Sequence, residues 1–547
     1  MLLFPLEPKH HSANVLRCLL KNILPKLLSL LGVLFFLWNA FYVFPWTLDD
    51  PFISFRYAFF LNHGQGLVFN PGERVEGYTN LLWTLWSAFG MILGFNPLCW
   101  SKISGVLLGL GCLRLLYRLG ERIYPGNESR KALIASLLIL LTGASFWWGL
   151  WMLGGLETPL FSFLILGTAW RFSQEALNPQ KKPIAGFLAS LLILTRPDGA
   201  VWILALLICL GVFSFFWKNQ KRNLTVYALS IFFVVVGYSL FKLSYYGQIL
   251  PNTYYAKVSD FSEDIKLGFF YISNALYISL GTWLLYPKVA LDPQHQPMGP
   301  SWLPVLLVVF LLFGWLRLLV VNKENKPLIL FLFMGWGGYL CFILLSSGDW
   351  MPGFRFIVPV LPLTIIPILG FLFPINNFLG RVASIFAIIF FLFSGMFIQK
   401  NYCQRQIPWI RSIAYRFSCG PQESPYLDLA NWIKKNLKKG SLIAFSEAGI
   451  VPYYCPKFLF LDYLGLTDPY ISHLHGSIHQ KTDPSYILSR KPKAIILIGQ
   501  KKRKGFKGTG AFQRFFEFPP LYTEYSLAHK IERGANDFFF IFLRKQD

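Results

Sequence analysis

Two adjacent carboxylates, Asp49 and Asp50, follow directly after the first long apolar stretch of the chain. Neighbouring side chains point in different directions, so one carboxylate can perform chemistry while the other positions a substrate or binds an ion. Two such acids titrate as a coupled pair, which can raise one pKa toward the range of a general base. The sequence Asp-Asp-Pro also suits the start of a helix, where an acid caps free amides. The pair is therefore either a catalytic centre or a helix cap.

Three arginines, Arg56, Arg196 and Arg355, carry the forked guanidinium that binds phosphate in a bidentate way. Each could instead anchor at a membrane interface or pair with a carboxylate such as Asp198. A site for an anionic lipid headgroup needs cations of this kind, so we predict that these arginines bind a phosphate. Other polar side chains of the same outer segments are candidates for binding a sugar or acceptor, or for supporting the site: Glu76, Tyr78, Asn80, Glu157, Asp198, Tyr254 and Asp349.

Long apolar helices must position these residues. The chain has 547 residues, of which 54% are hydrophobic and only 14% charged, and apolar runs of 18 or more residues recur. This composition predicts a polytopic α-helical membrane protein. Lys and Arg outnumber Asp and Glu by 51 to 27, but they fall in short loops, where they set topology and attract anionic lipid rather than nucleic acid.

Charge bias between the apolar runs predicts about eleven spans and one outer face. Basic residues precede the first span, so Asp49 emerges outside. The apolar run Leu81–Phe95 is only long enough for ~22 Å of a ~30 Å core, and we expect it to lie along the outer surface. The predicted spans are 25–44, 99–119, 132–150, 158–173, 184–195, 199–217, 224–245, 301–321, 328–346, 355–373 and 382–399.

Three further expectations follow from this arrangement. Segment 184–217 is too long for one span, and Thr195-Arg196-Pro197-Asp198-Gly199 predicts a hairpin turn recessed below the outer surface. Arg196 and Asp198 would then be intramembrane charges, which are usually functional. We expect the apolar piece 267–287 to be re-entrant or to lie on the surface.

The character of the chain changes near Lys400. An amphipathic helix is predicted over Tyr426–Leu437, followed by strands over 441–445, 458–462, 494–499 and 538–543. We therefore divide the chain into a transmembrane catalytic domain, residues 1–400 with the outer segment 45–98, and an extracytoplasmic α/β domain, residues 401–547.

Several motifs in chain order carry a family resemblance. They are Asp49-Asp50, Ser54–Tyr57, Gly66–Asn80, Gly155–Phe161, Thr195–Gly199, Leu250–Lys257, Gly348–Trp350, Arg355-Phe356 and Asp462–Asp468. The chain resembles the terminal beta-1,2-arabinofuranosyltransferases of arabinan assembly and their bacterial relatives, which are membrane glycosyltransferases of the GT-C fold. The resemblance implies a polyprenyl-phosphate sugar donor, a glycan or glycolipid acceptor, catalysis by the acidic pair, and a site on the outer side of the bacterial inner (cytoplasmic) membrane.

Residues and resemblance together predict a glycosyltransferase. Asp49 or Asp50 would be the general base if the reaction inverts, or the nucleophile if it retains. Arg196, with Arg56 or Arg355, would hold the departing phosphate. No cofactor is required, although a divalent cation could bridge Asp50 and the phosphate. The alternatives are a transporter or flippase for a lipid-linked saccharide, and a non-catalytic partner in glycan assembly.

Overall fold

A computed structural model describes residues 9–545, apart from residues 179, 217–220, 258–260, 280–301, 350, 352, 373–377, 407–423, 477–479, 503–504, 509 and 535. Helices dominate the part before residue 407. They are α1 (Lys9–Val43), α2 (Pro51–Asn62), α3 (Leu81–Ile92), α4 (Pro97–Ile123), α5 (Glu128–Ala144), α6 (Phe146–Met152), α7 (Thr158–Leu177), α8 (Ala185–Thr195), α9 (Gly199–Phe216), α10 (Lys221–Tyr246), α11 (Asn252–Lys257), α12 (Phe261–Ser279), α13 (Trp302–Val321), α14 (Lys326–Leu345), α15 (Leu361–Leu372), α16 (Phe378–Phe393) and α17 (Gln399–Gln406).

This part has the character of a multi-pass membrane protein. Among the described residues, six helical stretches are long and apolar enough to cross a membrane, or seven if the bent pair α5 and α6 forms one span. Large apolar side chains such as Phe233 and Val320 are exposed on them, as expected for helices that face lipid. The larger number of about eleven spans therefore stays a prediction.

Local breaks decide which predicted spans are continuous. The chain reverses between α8 and α9 as predicted, because Pro197 cannot continue a helix and Gly199 begins the next one. The predicted span 132–150 is wrong as one straight helix, since the chain bends by 68° between α5 and α6 at Ser145. The predicted piece 267–287 is helical up to Ser279, and its remainder lies outside the described residues.

The last part of the chain forms a six-stranded mixed sheet. Its elements are α18 (Pro425–Asn436), β1 (Leu442–Phe445), α19 (Ile450–Tyr454), β2 (Leu459–Asp462), α20 (Pro469–Ser472), α21 (Pro484–Ser489), β3 (Ala494–Lys501), β4 (Phe506–Lys507), α22 (Ala511–Phe516), α23 (Pro520–Glu524), β5 (Tyr525–Gly534) and β6 (Asp537–Arg544). The strand order is β2-β1-β3-β6-β5, with β4 paired to β3. β1 pairs in parallel with β2 and β3, whereas β6 is antiparallel to both of its neighbours. All four predicted strands and the predicted helix are present.

The six-stranded sheet and its helices, from α18 to β6, are called the sheet unit below. This unit packs on the outer segment 45–98. Tyr57, Phe69 and Tyr78 of that segment share one apolar core with Phe445 and Phe460 of the sheet. This shared core places the loop before α19 against the start of α2, next to the acidic pair.

A side chain completes the edge of the sheet at this contact. β2 is an edge strand, and the amide of Asn70 both donates to the Phe460 carbonyl at 2.8 Å and accepts from the Phe460 amide at 3.0 Å. Asn70 therefore takes the place of the next strand at this position.

Candidate active site

Arg196 is the centre of a buried polar cluster. Its guanidinium binds Asp198 through Nε to Oδ1 and Nη2 to Oδ2, both at 2.9 Å, and its Nη1 lies 3.4 Å from Oε1 of Glu157. Tyr339 of α14 donates to Asp198 at 2.7 Å, and Asn80 donates to Oε2 of Glu157 at 2.9 Å. All five side chains are buried. The structure thus brings together four predicted residues from the outer segment, the start of α7 and the α8–α9 turn.

Arg355 belongs to the same cluster. Its Nε lies 2.9 Å from Oδ2 of Asp349, so both predicted residues form one buried ion pair. The ring of Phe356 connects the two arginines, because it lies 4.7 Å from the guanidinium carbon of Arg196 and 5.2 Å from that of Arg355. Cation–π contacts of this kind hold a guanidinium in place without neutralising it.

The two acids of the pair have different environments. Asp49 accepts hydrogen bonds from the backbone amides of Gly449 at 2.9 Å and Ile450 at 2.6 Å, so its carboxylate is held by the loop before α19. Asp50 occupies the N-cap position of α2, but its side chain caps nothing there. No described residue forms a hydrogen bond with the Asp50 carboxylate. Asp50 therefore occupies the predicted cap position of the helix but does not cap it through its side chain, whereas Asp49 binds amides of a segment four hundred residues away.

The charges around Asp50 are those of the cluster. Burial raises the pKa of Asp50, the positive charges of Arg355 and Lys257 oppose this shift, and Asp349 and Glu157 add to it. Asp50 is thus close to the buried ion pairs, whereas its neighbour faces the sheet unit. Of the two acids, Asp50 has the free oxygen atoms that a reacting group needs.

Lys257 is, with Tyr339, a residue of this site that the sequence analysis did not select. Its side chain is solvent-exposed, yet desolvation lowers the pKa of Lys257, and so does the charge of Arg355. The Lys257 amine therefore lies within range of the charges of Arg355 and Asp50. Lys257 forms no ion pair with another described residue. It is the single basic residue in the motif Leu250–Lys257, and this signal could have identified it.

The helix that carries Lys257 is fixed from the sheet unit. Asn252, the first residue of α11, donates to the carbonyls of Gly465 at 2.8 Å and Leu466 at 3.0 Å, and accepts from the Ser472 hydroxyl at 2.8 Å. The position of Lys257 therefore depends on the Asp462–Asp468 motif, although that motif lies some two hundred residues later in the chain.

The structure places Arg56 outside the cluster. It is fully buried, and its guanidinium donates to the carbonyls of Phe69 at 2.7 Å, Phe458 at 3.1 Å and Pro452. It also donates a hydrogen bond to the side-chain oxygen of Asn70 at 3.4 Å. These acceptors occupy the donors that a phosphate would need, so Arg56 joins α2 to the sheet unit instead.

Two other predicted residues have partners away from the cluster, and a third is exposed to solvent. Glu76 forms an ion pair with Lys242 of α10 at 2.8 Å, and the Tyr78 hydroxyl lies 3.1 Å from that of Tyr246. Tyr254 is exposed at 48% on α11, three residues before Lys257. Glu76 and Tyr78 tie the outer segment to α10, while Tyr254 faces solvent.

The described residues contain no group of three or more His, Cys, Asp or Glu side chains that could hold a metal ion. Two carboxylates whose charges act on Asp50, Asp349 and Glu157, already bind arginines. The donor set of the described residues therefore does not fit a metal, and we assign no step to one. A divalent cation at Asp50 stays a prediction.

The sequence is similar to that of a curated protein. The chain is 28% identical over 354 residues to the terminal beta-(1->2)-arabinofuranosyltransferase of Mycobacterium tuberculosis, an alignment that covers 59% of this chain and 53% of the relative. The chain thus spans about half the length of that curated relative. A family profile described as a domain of unknown function (DUF8728) matches residues 411–541.

Solved structures establish the fold. The oligosaccharyltransferase AglB of Archaeoglobus fulgidus, in complex with an inhibitory peptide and a dolichol-phosphate, aligns with a TM-score of 0.52 at 14% identity over 87% of this chain and 69% of that one. The same enzyme tethered to an acceptor peptide also gives 0.52, at 11% identity over 97% and 75% of the two chains. These similarities confirm the predicted GT-C membrane fold, and the sequence match confirms the resemblance to the arabinofuranosyltransferases.

Proposed function

We propose that this GT-C membrane protein is a glycosyltransferase that moves a sugar from a polyprenyl-phosphate donor to a hydroxyl of a cell-envelope glycan or glycolipid. One observation carries the proposal: the Asp50 carboxylate, to which no described residue donates a hydrogen bond, lies within range of the positive charges of the buried Arg355 and the exposed Lys257. A base beside fixed cations is what sugar transfer from a lipid phosphate requires, since an acceptor hydroxyl must lose a proton while a phosphate departs.

Asp50 is the acid that we assign to the chemistry. Its raised pKa places it closer to the pH at which a general base works well, and nothing among the described residues occupies its oxygens. In an inverting reaction it would remove the proton of the acceptor hydroxyl, and in a retaining reaction it would attack the anomeric carbon. Asp49 would hold the start of α2 in place.

The cations divide into two kinds. Arg196 is neutralised by Asp198 and Glu157, so its main contribution is to fix the α8–α9 turn. Arg355 has one carboxylate partner and Lys257 has none among the described residues. We therefore propose that Lys257 and Arg355 bind the departing phosphate directly, and that Arg196 supports them from behind without contacting it.

The relatives support the class of donor and acceptor. One is named a terminal arabinofuranosyltransferase, and the archaeal enzyme of the same fold was solved with a dolichol-phosphate. By this analogy we propose a pentofuranose such as arabinofuranose as the sugar. We also propose that the protein resides in the bacterial inner membrane, with the cluster and the sheet unit on the extracytoplasmic side.

Transfer from a panel of synthetic polyprenyl-phosphate sugars by the purified protein tests the proposal. We expect Asp50→Asn to lower kcat by at least ~10²-fold, in line with the loss of a general base. Asp428→Asn on the exposed face of α18 is the matched control, and we expect wild-type rates from it. No transfer from any donor, together with unchanged cell glycans on deletion, would overturn the proposal.

A further inference from the structure

The turn Ser446–Ile450, between β1 and α19, contacts the acidic pair directly. The amides of Gly449 and Ile450 bind the Asp49 carboxylate at 2.9 and 2.6 Å. A Cβ at Gly449 would lie 2.0 Å from the backbone oxygen of Asp49 and 2.5 Å from its carboxyl carbon. No side chain fits there without moving the backbone, so the close approach to Asp49 requires glycine at this position.

The helix after the turn, α19, packs on α2, the helix that directly follows Asp50. The ring of Phe52 on α2 lies 5.5 Å from Tyr453 and 6.0 Å from Tyr454 on α19. Arg56 on α2 donates to the Pro452 carbonyl of α19. Together with the Asp49 contact, these interactions fix both the start and the middle of α2, and hence the direction of the Asp50 side chain.

Glu447, in the same turn, adds a third acid. Its Oε1 lies 3.5 Å from Arg533, whereas its Oε2 is buried and has no hydrogen-bond partner among the described residues. Arg533 also pairs with Asp537 at 3.4 Å and donates to the Tyr426 hydroxyl at 3.1 Å. The cation is therefore shared, and Glu447 is only partly neutralised.

Asp49 and Glu447 influence each other's ionisation. Burial raises the pKa of Asp49 well above its usual value, and the Glu447 and Asp50 charges raise it further, against the two amide hydrogen bonds. Burial also raises the pKa of Glu447, which Arg533 and Tyr426 oppose and Asp50 and Asp537 reinforce. When both acids ionise at high pH, their repulsion acts directly across the contact between the turn and Asp49.

We propose that the turn Ser446–Ile450 is a positioning element of the active site, in which Gly449 and Glu447 act through Asp49 to set the place of the Asp50 carboxylate. This inference rests on the proposed glycosyltransferase function. The proposed positioning role applies to part of the domain of unknown function. In this proposal the sheet unit supplies no reacting group, but it completes the geometry of a site whose acids lie four hundred residues earlier in the chain.

Two variants of the full-length protein test the proposal through different readouts. For Gly449→Ala we expect kcat to fall by about 10²-fold, as for a displacement near 1 Å of a catalytic group, while the donor KM changes little. Gly211→Ala is its control, because no atom lies within 4 Å of the added methyl group. If Gly449→Ala does not fold, the second variant decides.

The second variant is Glu447→Gln, measured as kcat/KM against pH. We expect the fall in activity that this repulsion causes at high pH to be lost, because the neutral amide of glutamine does not repel the Asp49 carboxylate. Asp537→Asn is the matched comparison: it removes a charge that raises the pKa of Glu447 and leaves Glu447 ionisable, so the alkaline limb should persist and move to lower pH.

The results separate the two proposals. A wild-type protein that transfers no sugar would overturn the proposed function. Wild-type transfer combined with an unchanged kcat in Gly449→Ala would overturn the positioning role alone, and so would identical pH profiles for Glu447→Gln and Asp537→Asn.

Discussion

Arg56→Lys is the substitution that best separates an architectural arginine from one that binds phosphate. Arg56 donates to three backbone carbonyls and one side-chain amide oxygen, and its guanidinium lies within 5.3 Å of the rings of Phe60, Phe69 and Phe460. Lysine keeps the charge but concentrates its donors on one nitrogen. We therefore expect the contact between α2 and the sheet unit to weaken while the Arg196 cluster stays intact.

The size of the effect follows from the hydrogen bonds. One ammonium nitrogen can reach about two of the four acceptors, which leaves two buried oxygens without a donor. Each unsatisfied buried acceptor costs about 1–3 kcal/mol, so the loss is roughly 2–6 kcal/mol. At about 2–4 °C per kcal/mol, the unfolding transition of the sheet unit should fall by on the order of ten degrees.

Thermal unfolding and limited proteolysis of the purified protein measure this loss, and donor titration measures binding. Arg74→Lys is the control, since Arg74 belongs to the same outer segment but is exposed and stacks on Tyr245 at 4.6 Å. If Arg56→Lys kept the wild-type transition and instead raised the donor KM, Arg56 would bind the phosphate and its architectural role would be refuted.

Three other predictions use the same preparation. Because burial raises the pKa of Asp50, we expect kcat/KM to increase with pH through an acid limb above the ordinary carboxyl value of about 4; a limb at that value would contradict the assignment. Asn252→Ala should raise the donor KM about tenfold by freeing α11, whereas Ser472→Ala, which removes only one of its hydrogen bonds, should have a smaller effect. Burial raises the pKa of Asp462 to about 6, so the stability that this residue contributes is complete below about pH 4 and is lost as the pH rises through 6. The unfolding temperature of the sheet unit should therefore be lower at pH 8 than at pH 4. An equal or higher unfolding temperature at pH 8 would contradict this.

The elements that were predicted correctly are those that depend on residues close together in the sequence. Pro197 and Gly199 determine the hairpin turn between α8 and α9, and the buried strands β1, β2, β3 and β6 read as short apolar runs. β5 was missed because it is an edge strand whose sequence, Tyr525–Gly534, is rich in charged and polar residues.

The partners of the site residues could not be found in this way. Arg56, Arg196 and Arg355 look equivalent as single residues, yet Arg56 is occupied by carbonyls about four hundred positions away, which only the folded chain brings near. The same distance separates Asp49 from the amides that distinguish it from Asp50. Residue types therefore predicted which side chains matter, and tertiary contacts decided which of them share one site.

The pairing of Asn70 with the Phe460 backbone also bears on how the protein is made. A free strand edge is a template on which other chains can add, and aggregation commonly starts there. The outer segment that covers the edge of β2 lies before the sheet in the chain, so it leaves the ribosome first. When β2 forms, the Asn70 side chain that pairs with its edge is already synthesised, so this position of the edge can be covered as soon as the sheet assembles.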